Sequence, residues 1–402
     1  MRKLFIILFC TITIIASSSI LDNKKTRQMK TAIQTARTAI KNSKDLEKNE
    51  TTIRNYLKDS MFVNNKDLHL VLFDLLKKQY EVGNEKMYLN QAIDTASLSR
   101  VSKRLFLAAE QLDTIDAKAN AKGISAPSYR KKHSLYLTPY RGNILKGAIY
   151  FLSHKQYQDA WELLDIYLSA PGHPLFSDVP QDSTHNTFAA FLAVMAAKKL
   201  SDLDKAEKYS KEAVKYLPRR EVTLKNLSAL ALSKRDTMKY VSYITEGFRY
   251  YPESEYFFPN LIDYHINKGD IESALAYTDE ALKKDSLNPL FLYSKHNILM
   301  YKKDYEGAKK YGCMVLMQND SLAVPNYNIG YIYYLKAHSI LENKEKSMRQ
   351  RMKEAQKYYA KSLPYMEKFR ALEPKEEKRW KPILYDIYLN LNMGKEFREL
   401  EK

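Results

Sequence analysis

Glycine and proline are scarce, at 11 and 13 of 402 residues. So few backbone breakers exclude a collagen-like or Gly/Pro-rich disordered chain and leave room for long helices. Cysteine is nearly missing: Cys10 and Cys313 are the two present, which excludes a disulfide framework. Reaction signatures are missing too. The sequence contains no G-x-x-x-x-G-K-[ST] to cradle phosphates and no H-E-x-x-H zinc pair. It also has no G-x-S-x-G elbow and no C-x-x-C. The expectation is a non-enzymatic chain with no cofactor and no resident metal. The apolar stretch Leu4 to Ile15 is 12 residues long, short of the ~20 that cross a bilayer.

That stretch has another meaning. Arg2 and Lys3 precede it and Ala16 to Ser19 follow it, the pattern of a secretory signal over residues 1–19. An uncleaved anchor is the bland alternative. Phe9 stands where a lipid-modified Cys10 needs a small neighbour. The expected location is outside the cytoplasmic membrane, periplasmic or extracellular. Cleavage would leave Cys313 alone, which reads as a packing residue on a helix.

What is present is a period. Asp202, Asp236, Asp270 and Asp304 are spaced by 34, as are Tyr209, Tyr243, Tyr277 and Tyr311. Ala206, Ala274 and Ala308 recur nearby, with Ala213 and Ala281 seven residues after the first two. Cut at 187, 221, 255, 289 and 323, each block reads helix, turn, helix. In Glu255–Asn288, Phe258, Leu261, Ile262 and His265 share one helix face. Lys268-Gly269-Asp270 is the turn, with Asp270 capping the next helix. Ala274 and Ala281 allow the paired helices to approach, with Tyr277 between them.

This pattern resembles the tetratricopeptide repeat (TPR), a 34-residue helix pair. Phe258, Leu261, Ala274, Ala281 and the closing prolines Pro218 and Pro252 carry the match. Tyr240, Gly247, Lys295 and Val315 depart from it. The resemblance covers residues 141–374, in blocks starting at 141, 187, 221, 255, 289 and 323. It implies an all-α, right-handed solenoid of stacked antiparallel helix pairs, a TPR-like superhelix. Residues 20–140 read as degenerate helix pairs, with 120–140 a linker or ordered loop and Gly83-Asn84 a helix stop. Residues 175–186 read as an insertion. Residues 323–374 read as one enlarged pair, each helix longer by about ten residues and projecting ~15 Å. Residues 375–402 read as capping helices ending in a short charged tail from Gly394.

The resemblance also implies a concave face for a protein or peptide ligand. It places Phe188, Phe191, Met195, Lys198 and Lys199 there, then Leu290, Tyr293, Asn297, Met300 and Tyr301, then Val324, Tyr327, Tyr331, Tyr334 and Leu335. The partner-binding candidates are Phe191, Met195, Tyr293, Asn297, Tyr301, Tyr327, Tyr331 and Tyr334. Packing against adjacent helices is the bland reading of the same rings. The family's carboxylate clamp is not expected, because the lysines do not match it. Two other classes compete. The net charge of +18 suits an anionic polymer or membrane surface, through clusters such as Arg130-Lys131-Lys132 and 349–353. Those charges are dispersed and no nucleic-acid fingerprint accompanies them. His173, Asp178, Asp182 and His185 bring metal-ligand residue types to the insertion, against an ordinary turn-and-cap reading.

Overall fold

The computed structural model describes the backbone of residues 2–89, 91–119, 123 and 125–400, with side chains from Asp22 onward. The segment read as a signal, 1–19, lies outside the residues whose side chains are described. Among the described residues there is no strand, and the chain is all-α. It divides into two compact units, Met1–Tyr240 and Val241–Lys402.

The first unit contains α1 (Arg2–Asn42), α2 (Leu46–Leu57), α3 (Lys66–Tyr88), α4 (Thr95–Asp116) and α5 (Arg130–Leu137). Then come α6 (Arg141–Ser153), α7 (Tyr157–Ser169), α8 (Asn186–Lys199), α9 (Leu203–Ala213) and α10 (Arg220–Ser233). Helix α3 packs on α4, α6 on α7 and α8 on α9, and α7 then packs on α8, so pairs stack into a row. One core runs through them: Ile53, Leu68, Leu76, Leu105, Leu112, Phe151 and Leu164 are fully buried. Burying such a side chain stabilises by roughly 1.5–3 kcal/mol.

Helix α11 (Thr237–Tyr250) contains the boundary between the units. The second unit continues with α12 (Phe257–Asn267), α13 (Ile271–Lys284), α14 (Pro289–Tyr301), α15 (Tyr305–Gln318) and α16 (Ala323–Glu342). It closes with α17 (Met348–Leu372), α18 (Glu377–Asn390) and α19 (Gly394–Leu400). Here α12 pairs with α13, α14 with α15 and α16 with α17, and the pairs again stack.

The recurring aspartates cap helices. Asp202, Asp236, Asp270 and Asp304 accept the backbone N–H of Lys205, Lys239, Ser273 and Gly307 at 3.0 to 3.1 Å. The residue before each is left-handed: Ser201 (φ 54°), Arg235 (φ 60°), Gly269 (φ 72°) and Lys303 (φ 61°). Each aspartate N–H also reaches back to close the preceding helix, as from Asp270 to His265 O at 2.9 Å. That bond satisfies a carbonyl the ending helix would leave orphaned. One residue therefore ends one helix and starts the next. Ala206, Ala213, Ala274, Ala281 and Ala308 are fully buried where the paired helices meet.

Several local expectations need correction. Helix α3 continues through Gly83-Asn84 to Tyr88. A Cβ on Gly83 would lie 2.6 Å from Leu98 Cδ1, so this glycine serves a close approach within the fold rather than a helix end. Within 120–140, Arg130–Leu137 is helical. Leu137 and Ser134 are buried there, and the His133 ring stacks on Phe73 at 4.0 Å. Arg130 grips the buried Asp113 through two hydrogen bonds of 2.8 Å. From Gly394 the chain is helical, with Leu400 buried.

Helices α16 and α17 are 20 and 25 residues long, against 13 and 14 for α14 and α15. Their added turns do not project free. Ala337, Ile340, Ala355 and Tyr359 are buried in one cluster with Leu384, Ile387 and Tyr388 of α18.

Candidate functional site

The second unit carries an ordered series of half-buried rings. Tyr327, Tyr331, Tyr334 and His338 follow at intervals of four, three and four along α16, which puts them on one face. Tyr327 and Tyr331 stack at 5.7 Å with 8° between planes, and Tyr331 and Tyr334 at 6.2 Å with 22°. Helix α18 fixes both ends. The Arg379 guanidinium lies over the Tyr327 ring at 4.1 Å and over Phe369 at 5.1 Å. The Tyr334 hydroxyl donates to Asp386 Oδ2 at 2.7 Å. Burial and then that carboxylate push the Tyr334 phenol well above its usual range. His338 Nε2 lies 3.6 Å from the same Asp386 oxygen. Burial likewise raises Tyr331.

On α14, Tyr293 and Asn297 are half-buried, and Tyr301 projects with 66% of its surface exposed. Helix α14 contacts α16 directly. Beneath this face the buried His296 is fully partnered. Its Nδ1 donates to Ala308 O at 2.7 Å and its Nε2 accepts from Asn328 Nδ2 at 3.0 Å. Lys295 is also buried, and pairs with Asp279 at 2.5 Å.

The candidates in the first unit are engaged internally. Phe191 packs against Tyr216 at 5.6 Å, as Phe188 does at 5.5 Å. Asn226 Nδ2 donates to the Met195 sulfur at 2.8 Å, and Lys198 donates to Asn226 Oδ1. Each unit's rings are thus organised by its own neighbours. Sequence reasoning missed Arg379 and Asp386, which it left within the cap. No local signal marks them, because their contact with α16 arises only when α18 folds onto the enlarged pair.

The insertion is built by structural bonds. Phe176 is buried and stacks on Phe106 at 6.1 Å. His173 Nδ1 accepts from Leu175 N at 3.1 Å, and Asp182 accepts from Thr184 N at 2.8 Å. Buried Arg141 donates to Tyr167 O at 3.0 Å, to Asp182 O, and to Asn186 Oδ1 at 2.8 Å. Its guanidinium also lies over the Tyr167 ring at 4.1 Å. Among the described residues no group of His, Cys, Asp and Glu is arranged to hold a metal ion. Cys313 is half-buried, and burial raises its thiol pKa.

Paired helices joined by capped turns and stacked in sequence define a helical-repeat protein. With a 34-residue register of Asp caps, buried alanines and tyrosines, the repeats resemble the tetratricopeptide type. No family model matches the chain, and no curated protein matches it. Among solved structures it is similar to the C-terminal part of a TPR repeat-containing protein from Cytophaga hutchinsonii. That likeness is 13% identity over 60% of this chain and 84% of the other, with a TM-score of 0.37. It is also similar to pilF of Pseudomonas aeruginosa, at 12% identity over 59% and 98% with a TM-score of 0.29. A TPR repeats protein from Bacteroides fragilis is similar at 13% identity over 62% and 98%, with a TM-score of 0.30. Likenesses this low carry no functional argument.

Proposed function

We propose that the chain is an exported, non-enzymatic scaffold that binds a protein or peptide on the α14–α16 face of its second unit. The observation that supports this is the aligned tyrosine series Tyr327–Tyr331–Tyr334 on α16, with exposed Tyr301 on the contacting helix α14. Tyrosine offers a large apolar ring with a polar tip at low entropy cost, the combination favoured at binding hot spots. Because Arg379 and Asp386 already hold the ends of the series, little ordering is left for the moment of binding. That lowers the cost of association. Tyr293, Asn297 and Tyr301 supply the neighbouring edge. Phe191 and Met195 lie in the first unit and act, in this reading, as packing residues against Tyr216 and Asn226. The expected location is the periplasm or the exterior, after loss of residues 1–19. Nucleic acid is not an expected partner.

The competing reading is adhesion to an anionic polymer or membrane surface. It loses ground because many lysines are already paired, as in Lys103–Glu162, Lys302–Glu272 and Lys309–Glu306. An enzyme or metal site in 173–185 loses ground because its side chains serve as turn caps. The test is photo-crosslinking in the native host, with the probe at Tyr301 and a control probe at exposed Lys353. One discrete protein adduct from position 301, absent from 353, is expected. Equal diffuse labelling at both positions would overturn the scaffold reading.

A further inference from the structure

We propose that α2, α3 and α4 hold a binding site for a small amphiphilic carboxylate, an anionic head on a short apolar chain. The site lies in the first unit, whereas the tyrosine face belongs to the second, and it is independent of that reading.

A cleft of about 360 Å³ opens between these three helices, within the size range of small-ligand sites. Each helix presents one stripe to it. Helix α2 gives Arg54 and Leu57, with Lys58 just past its end, and α4 gives Arg104, Leu107 and Gln111, at the three- and four-residue spacing of a single helix face. Helix α3 supplies the floor with buried Leu72 and His69. The His69 Nε2 is committed to Val63 O at 2.8 Å, so this ring acts as a wall.

The charge at the mouth is prepared. Glu50 is 5% exposed and binds both guanidinium groups. Arg54 Nε donates to Glu50 Oε1 at 2.8 Å, and Arg104 Nε donates to the same oxygen at 2.9 Å. Arg104 adds a second bond to Oε2 at 3.2 Å, and Gln79 Nε2 donates there at 2.9 Å. Glu50 is thereby saturated and fixed. It uses one nitrogen of Arg54 and two of Arg104. Both arginines line the cleft and keep fork nitrogens that Glu50 does not take, and exposed Lys58 lines it too. Two arginines and a lysine against one carboxylate leave a local surplus of positive charge. A planar guanidinium matches a second carboxylate in the way it already matches the first.

The floor asks for something apolar. Leu107 is 47% exposed and Leu57 half-exposed, above buried Leu72 and Ala108. A bare inorganic anion would leave these in water, and an apolar molecule without a charge would leave the fork nitrogens unused. An alkyl carboxylate satisfies both parts.

The test is isothermal titration of the full chain with octanoate, acetate and 1-octanol. Octanoate is expected to bind saturably at one site, with acetate and 1-octanol weaker by at least about tenfold. Arg54→Gln and Leu107→Glu are each expected to weaken octanoate by at least about tenfold, with helicity and melting temperature checked in parallel. Leu107 makes no contact with Glu50's bonds, so the second variant decides the matter if the first fails to fold. Absence of saturable octanoate binding at millimolar concentration, 1-octanol binding as well as octanoate, or an unaffected Leu107→Glu would each overturn the proposal.

Discussion

Glu110 sits on α4 with its Oε1 buried and without a hydrogen-bond partner. Burial first, and then Asp165, raises its carboxyl pKa to about 7. A carboxyl whose folded pKa lies above its unfolded one binds its proton more tightly in the folded chain. Its stabilising share is complete below the ordinary value near 4.5 and is lost as pH rises through about 7. Glu110→Gln is therefore expected to raise the melting temperature at pH 8 and to change it little at pH 4. A rise of equal size at both pH values would contradict the buried-carboxyl account. His133 works in the opposite direction, because burial, with Lys132 and Lys77, pushes it down to about 4. Its neutral ring supports the fold above the usual imidazole range, and that support is lost as pH falls toward 4. Arg141 tolerates burial because backbone and amide oxygens surround its guanidinium. Arg141→Ala would leave the Tyr167 and Asp182 carbonyls without their donor, at a cost of about 3 kcal/mol. The check is chemical denaturation combined with limited proteolysis, which should show new cleavage within 177–185.

At the scale of the helix pair, two backbone positions pull in opposite directions. Arg235 adopts φ 60° at the turn before Asp236, a conformation that costs a non-glycine residue roughly 1–2 kcal/mol. Glycine removes that strain but gives back part of it as unfolded-chain entropy. Arg235→Gly is expected to stabilise by about 0.5 kcal/mol, read as a higher denaturant midpoint at constant slope. Gly247 has no such freedom. A Cβ there would lie 2.3 to 2.5 Å from three atoms of the fully buried Phe257 ring. Gly247→Ala should destabilise by about 1–3 kcal/mol through overpacking, and a neutral result would mean that the ring has room to shift. These positions also show what the sequence discloses. The aspartates were legible because a cap is local chemistry repeated at a fixed interval. The left-handed Ser201, Arg235 and Lys303 were not, since only Gly269 advertises that conformation by its identity. Helix α5 was hidden because His133 and Leu137 become core residues only once Phe73 is beside them. The tyrosines of α16 were legible as one face, whereas Arg379 and Asp386 depend on where α18 lands.

For the chain as a whole, charge and ring chemistry compete to explain what it attracts. The excess of 65 basic over 47 acidic residues favours anionic surfaces at long range. Exposed ion pairs contribute little each, roughly 0–1 kcal/mol, and salt screens whatever steering remains. The Debye length falls to about 3 Å at 1 M salt. Burial of tyrosine rings is not screened in this way. The adduct formed through a probe at Tyr301 should therefore keep most of its yield as salt rises from about 0.15 M to about 1 M. A partner held by dispersed lysines would be lost over the same range. The control at Lys353 calibrates this, because any labelling there arises from the charged surface and should collapse as salt rises. If the yields at 301 and 353 fell together, the ring face would be a packed feature of the α16–α18 assembly. The basic surface would then be what the chain uses to meet other molecules.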